Sequence, residues 1–149
     1  MELFKGWNMI ALPLVMPDKR VNAIFPEAQE VYSYNNGSYH LIENKTGQLE
    51  NGVGYWVSMP EDRIYELHGA PYQGLETSLE PGWHLLGCPF AETVPESSPL
   101  GAIESMFDYT NKSYNYMTSC QPGLGFWVNI VDVDNSHVSV AINVFSESE

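Results

Sequence analysis

The sequence predicts an all-β fold with two short helices, and three observations predict it. Short apolar strand-like runs are separated by Gly, Pro and Asn. An Asn36-Gly37 pair, the strongest type I′ hairpin signal, sits between two runs of alternating aromatic and polar residues. The whole pattern then occurs a second time.

The repetition rests on three matches in the same order. Gly6-Trp7-Asn8-Met9-Ile10-Ala11-Leu12-Pro13 lies against Gly82-Trp83-His84-Leu85-Leu86-Gly87-Cys88-Pro89. Asn36-Gly37-Ser38-Tyr39 lies against Asn111-Lys112-Ser113-Tyr114. Gly52-Val53-Gly54-Tyr55-Trp56-Val57 lies against Gly123-Leu124-Gly125-Phe126-Trp127-Val128. The offsets are 76, 75 and 71 residues, a drift expected from small loop deletions between preserved strands.

The elements follow in order. The Gly-Trp strand carries Trp7, Met9 and Ala11 on one face and Ile10, Leu12 and Leu14 on the other, so it is expected to be buried on both sides. Pro13 and Pro89 end the two copies, because proline cannot donate to a ladder. Asp18 is placed to cap a helical turn over residues 19–25, which Pro26 ends. Its counterpart is a helix over residues 98–105, with Ser98 as cap and Pro99 at the first helical position. The Asn36-Gly37 turn pairs Tyr34 with Tyr39, Ser33 with His40 and Tyr32 with Leu41. That places Tyr32, Tyr34, Tyr39 and Leu41 on one face. The second hairpin, turning at Asn111-Lys112, gives Phe107, Tyr109, Tyr114 and Tyr116 the same placement. Leu49 and Cys120 precede the two Gly-x-Gly strands. Closing strands are expected over residues 64–69 and 138–142, a connection over 70–78, and a frayed acidic tail over 146–149. Half-size sheets bury too little alone. The expectation is therefore one domain over residues 1–149, with repeats of about 1–72 and 73–145. The two would share a single core as a pseudo-twofold barrel or sandwich.

The two copies of this pattern together resemble a tandem Gly-Trp-Asn / Gly-x-Gly-Tyr-Trp repeat of secreted and envelope-associated bacterial proteins. There these strands flank a Tyr-rich hairpin, and the repeats sit beside adhesive or surface-anchoring modules. The resemblance implies a non-catalytic extracellular accessory module, structural or adhesive, in place of an enzyme. It assigns no catalytic residue. His84 stands where the first copy has Asn8, so the Asn is not required in both halves.

Charge narrows the partners. Nineteen acidic against six basic residues give a net charge of −13, and Lys112 is the only basic residue after Arg63. Nucleic acid requires clustered Lys and Arg and is excluded. No run approaches the length of a membrane span, so membrane insertion is not expected. Only 17% of residues are charged, below the usual quarter, which leaves a neutral polar surface of the extracellular type. No basic and apolar leader opens the chain. Met1 leads within a few residues into a core strand, and the chain is expected to be a fragment of a longer secreted or envelope-associated protein.

Catalysis finds little support. No nucleophile elbow is present, and His40, His68, His84 and His137 stand singly without zinc spacing. Paired carboxylates are not supported: Glu61-Asp62 is adjacent in a loop and expected to be solvated, and Glu66 lies on a closing strand without a duplicated partner. Asp132-Val133-Asp134-Asn135 starts like a calcium loop, but His137 and Asn143 occupy its Gly and Glu positions. No cofactor or metal is expected. Cys88 and Cys120 stand where the first copy has Leu12 and Leu49. They are either a disulfide or two buried thiols. The aromatic rows are the remaining signal: Tyr32, Tyr34 and Tyr39, with Phe107, Tyr109, Tyr114 and Tyr116. Facing inward they are core; facing outward they bind a glycan or a protein surface. Trp7, Trp56, Trp83 and Trp127 read as structural.

Overall fold

The computed structural model describes residues 1–144. The expected tail over 146–149 lies outside them. In chain order the elements are β1 (Glu2–Leu3), β2 (Gly6–Ile10), β3 (Leu14–Val15), α1 (Val21–Ile24), β4 (Glu30–Asn35), β5 (Ser38–Leu41), β6 (Tyr55–Met59), β7 (Arg63–Ile64) and β8 (Ala70–Pro71). They continue with β9 (Gly74–Ser78), β10 (Gly82–Gly87), β11 (Glu96–Ser98), β12 (Ile103–Thr110), β13 (Ser113–Tyr116), β14 (Gly125–Ile130) and β15 (Ser139–Asn143).

Two four-stranded antiparallel sheets have the same strand order, β2-β6-β4-β5 and β10-β14-β12-β13. Their registers correspond as well. Met9 lies opposite Trp56 and Trp7 opposite Ser58; Leu85 lies opposite Trp127 and Trp83 opposite Asn129. Both hairpins turn as the sequence predicts, with Tyr34 opposite Tyr39 and Tyr109 opposite Tyr114. Asn36 and Gly37 have φ of 51° and 78°, the left-handed pair that a type I′ turn requires; Asn111 and Lys112 match them at 54° and 62°. Smaller ladders join β1 to β7, β3 to β8, and β15 to both β9 and β11. Every ladder among the described strands falls within residues 2–71 or within 74–143.

The structure corrects several expectations. The helix over 98–105 is absent: residues 96–98 pair with β15 and residues 103–110 form a long strand, while Gly101 breaks the chain between them at φ 88°. Tertiary pairing overrides the local Ser-Pro signal. The first helix is a single turn whose N-cap is Arg20 without a side-chain cap. Asp18 instead accepts hydrogen bonds from the Arg20 backbone and guanidinium. The guanidinium holds the Asp18 carboxyl down at about 2. The expected closing strand over 64–69 shrinks to β7, and the expected connection over 70–78 contains β8 and β9.

No described sheet closes into a barrel. The buried apolar residues form two clusters. Leu3, Leu12, Val21, Phe25, Leu49 and Val57 belong to one; Cys88, Met106, Cys120, Phe126, Val128 and Val140 belong to the other. Local segments cover each sheet from its own half: α1 and Leu49 over the first, β15 and the two cysteines over the second. Cys88 and Cys120 are disulfide-bonded, with Cα atoms 5.6 Å apart. Leu12 and Leu49, their counterparts, are wholly buried in the first cluster. The bond therefore occupies the place of an apolar contact.

The halves meet along a seam of reciprocal backbone contacts. Ala11 N–H donates to the Gly123 carbonyl at 3.1 Å, and Gly87 N–H donates to the Gly52 carbonyl at 3.0 Å. Isolated bridges pair Ile10 with Leu124 and Val53 with Leu86. The Gly-x-Gly motif has a division of labour here. Gly52 and Gly123 take φ of 83° and 88°, which an L side chain resists. A Cβ on Gly54 would stand 2.8 Å from the Leu86 carbonyl oxygen, and one on Gly125 would stand 3.1 Å from the Gly54 Cα.

The Asn of the Gly-Trp-Asn motif is a scaffold residue. Its Nδ2 donates to the Phe4 carbonyl at 2.8 Å, and its Oδ1 accepts from Phe4 N–H at 2.9 Å. These bonds close the bend around Gly6. In the second half His84 Nε2 lies 2.6 Å from the Glu80 carbonyl oxygen, four residues back, and takes over that role.

The disulfide closes a segment with a sequence separation of 32. Loop-closure entropy then makes it worth about 3–4 kcal/mol. A Cys88→Ala/Cys120→Ala variant is expected to lose that amount in urea denaturation, with the second half the weaker part.

Candidate functional site

Strand alternation sends one face of each sheet to its own core and turns the other, aromatic face toward the opposite half. On β6, Tyr55, Val57 and Met59 point inward, so Trp56 points to the aromatic face; β14 does the same with Trp127. Met9 and Leu85 share that face and are buried.

The aromatic contacts repeat in reciprocal pairs. Tyr34 meets Trp127 with ring centroids 4.9 Å apart at 79°, and Trp56 meets Tyr109 at 5.0 Å and 73°. These two edge-to-face contacts cross from one half to the other. Within each half, Trp7 lies 6.5 Å from Trp56 at 89°, and Trp83 lies 6.4 Å from Trp127 at 88°. Tyr34 against Tyr39 and Tyr109 against Tyr114 complete the set. Such geometry sets the positive edge of one ring on the negative face of the next.

The layer opens on one side into a cleft of about 430 Å³ lined by Trp7, Tyr32, Tyr39, Trp56, Tyr109 and Tyr114. That volume lies within the range of small-ligand sites. All six side chains are aromatic, and no carboxylate, imidazole, thiol or ammonium lines it. Trp7, Tyr39 and Tyr114 are 44%, 52% and 54% exposed, so the rim is accessible. Trp56 Nε1 is buried without a hydrogen-bond partner. Burial pushes the Tyr39 hydroxyl up. A larger open groove of about 900 Å³ runs along the seam and shares Trp7 and Tyr109 with the cleft.

The sequence-derived candidates divide accordingly. Tyr32, Tyr39, Tyr109 and Tyr114 come together in the cleft. Tyr34 crosses the seam to Trp127. Phe107 and Tyr116 pair with each other on the second sheet, where Phe107 also meets Trp83. Trp7 and Trp56, assigned above to scaffold alone, are also cleft walls. The register that sets Met9 beside Trp56 is the signal that places them there. Trp7 also corrects the strand expected to be buried on both sides, since its face runs out from under the opposite half.

The other singled-out residues lie elsewhere. Asp62 accepts from Lys5 N–H, Glu61 pairs with Arg63, His68 lies beside Glu66, and His137 lies beside Ser78. His40 bridges Ser38 and the Asn35 carbonyl at the hairpin tip. Asp134 and Asn135 form a turn with φ of 52° and 56°. Among the described residues no three His, Cys, Asp or Glu are grouped to hold a metal, and no helix is long and apolar enough to cross a membrane.

No protein-family model, curated protein or solved structure matches the chain.

The crossing contacts give a direct check. A double-mutant cycle on Tyr34→Leu and Trp127→Leu is expected to show about 0.5–1.5 kcal/mol of coupling in stability. Additive losses would mean the two rings do not support each other.

Proposed function

We propose that this chain is a non-catalytic accessory module of an extracellular protein, built from one duplicated unit in pseudo-twofold arrangement, and that it acts by contact through its aromatic cleft. The observation that carries the proposal is the composition of the cleft. Six aromatic side chains converge there without an acid, base or nucleophile that would perform chemistry. The matched strand orders and reciprocal contacts support the duplicated unit. The resemblance of the Gly-Trp-Asn and Gly-x-Gly-Tyr-Trp strands to repeats of envelope-associated proteins supports the setting. The Cys88–Cys120 disulfide is compatible with an oxidising compartment.

A glycan is the second candidate ligand, because the exposed rings of Trp7, Tyr39 and Tyr114 can stack on sugar faces. Its difficulty is that a polyol needs convergent donors and acceptors, and the lining offers phenol and indole groups alone.

The test combines a ligand panel with a turnover assay. The purified chain is expected to leave a broad set of chromogenic glycosides and esters intact. A Trp7→Ala/Tyr39→Ala/Tyr114→Ala variant that keeps its far-ultraviolet circular dichroism is expected to lose whatever panel binding the parent shows. Hydrolysis of any substrate, or full binding by that variant, would sink the proposal; a blank glycan panel would remove the glycan alone.

A further inference from the structure

We propose that the six-ring cleft is a receptor for a quaternary ammonium group carried on a longer molecule. The inference rests on reading the cleft as the contact surface and goes further by naming the chemistry it accepts.

Ring geometry is the first support. Trp56 stands at 89° to Trp7, 87° to Tyr114 and 73° to Tyr109, so the rings form walls at steep angles to a common one. Aromatic faces carry negative potential, and a cation among several of them is attracted to each. Charge is the second support. The chain carries −13, a field that concentrates cations at its surface, while the cleft has no basic residue to repel them.

The lining then selects among cations. A primary ammonium or guanidinium brings N–H groups whose hydration must be replaced on burial, and the cleft has no carboxylate to do so. A fully methylated ammonium has no N–H to satisfy and presents methyl groups that pack against rings. A carboxylate or phosphate finds no cation in the lining. The cavity, about 430 Å³ and open at its rim, leaves room for the chain that bears the head group.

Choline chloride is the probe, read by tryptophan fluorescence and by amide and indole N–H shifts on the whole chain at constant ionic strength. Its uncharged carbon isostere, with a tert-butyl group in place of trimethylammonium, is the control. Choline is expected to saturate with a dissociation constant on the order of 1 mM, from a few cation–ring contacts. The isostere should bind at least about tenfold more weakly, since it lacks the charge. Trp7→Leu and Tyr114→Leu, each checked for an unchanged amide spectrum, should each weaken choline by about fivefold or more. Equal binding of the isostere, no saturable shift up to about 100 mM choline, or parental affinity in both variants would overturn the assignment. Binding of an oligosaccharide or peptide at these rings without choline binding would overturn it too, while leaving the contact role of the cleft in place.

Discussion

The structure depends on a close backbone crossing at the seam. Gly54 and Gly125 lie at that crossing, where a Cβ on Gly54 would collide with the Leu86 carbonyl and one on Gly125 would sit tightly against the Gly54 backbone. Gly52 and Gly123, two residues earlier, turn their carbonyls onto Gly87 and Ala11 of the opposite half through left-handed backbone. A glycine pair spaced by one residue therefore does two jobs, turn and approach, and does them once in each half.

Beside that crossing the aromatic faces of the two halves meet. Met9 and Leu85 are buried, and the tyrosine–tryptophan pairs interlock across the seam. Elsewhere in the same rows the rings lose their cover. Tyr39, Tyr114 and Trp7 are then half-exposed, and a cleft opens between them. Packed interior and open cleft are thus parts of one aromatic layer. Ring orientation in the open part is held by rings packed in the closed part, which gives the cleft a preformed shape.

Much of this was legible from residue pattern. Asn36-Gly37 set the hairpin register, because only one turn type suits that pair, and the side-chain period then put the tyrosines on one face. The match between Asn36-Gly37 and Asn111-Lys112 carried the second hairpin even though its turn chemistry is weaker. Other features lay beyond local pattern. Ser98-Pro99 looks like a helix start, yet residues 96–98 find a partner in β15, far along the chain. Alternation assigns Trp7 to a face but does not say what lies over that face. The grouping of buried residues into two clusters depends on loops that bring Leu49, Cys120 and α1 back onto their own sheet, which local pattern does not show. The purpose of the second glycine in Gly-x-Gly requires the opposite half to be in place.

The central claim is that the seam joins the two halves as firmly as each half holds itself together. Native-state hydrogen exchange on the seam amides tests it most directly. Ala11 and Gly87 donate the two reciprocal bonds, while Val57 and Val128 lie at the centres of their own sheets. If the seam is integral, Ala11 and Gly87 will exchange with protection matching Val57 and Val128, through the same global opening. Rapid exchange of Ala11 and Gly87 while Val57 and Val128 stay protected would contradict the account, because it would mean that the halves part without unfolding.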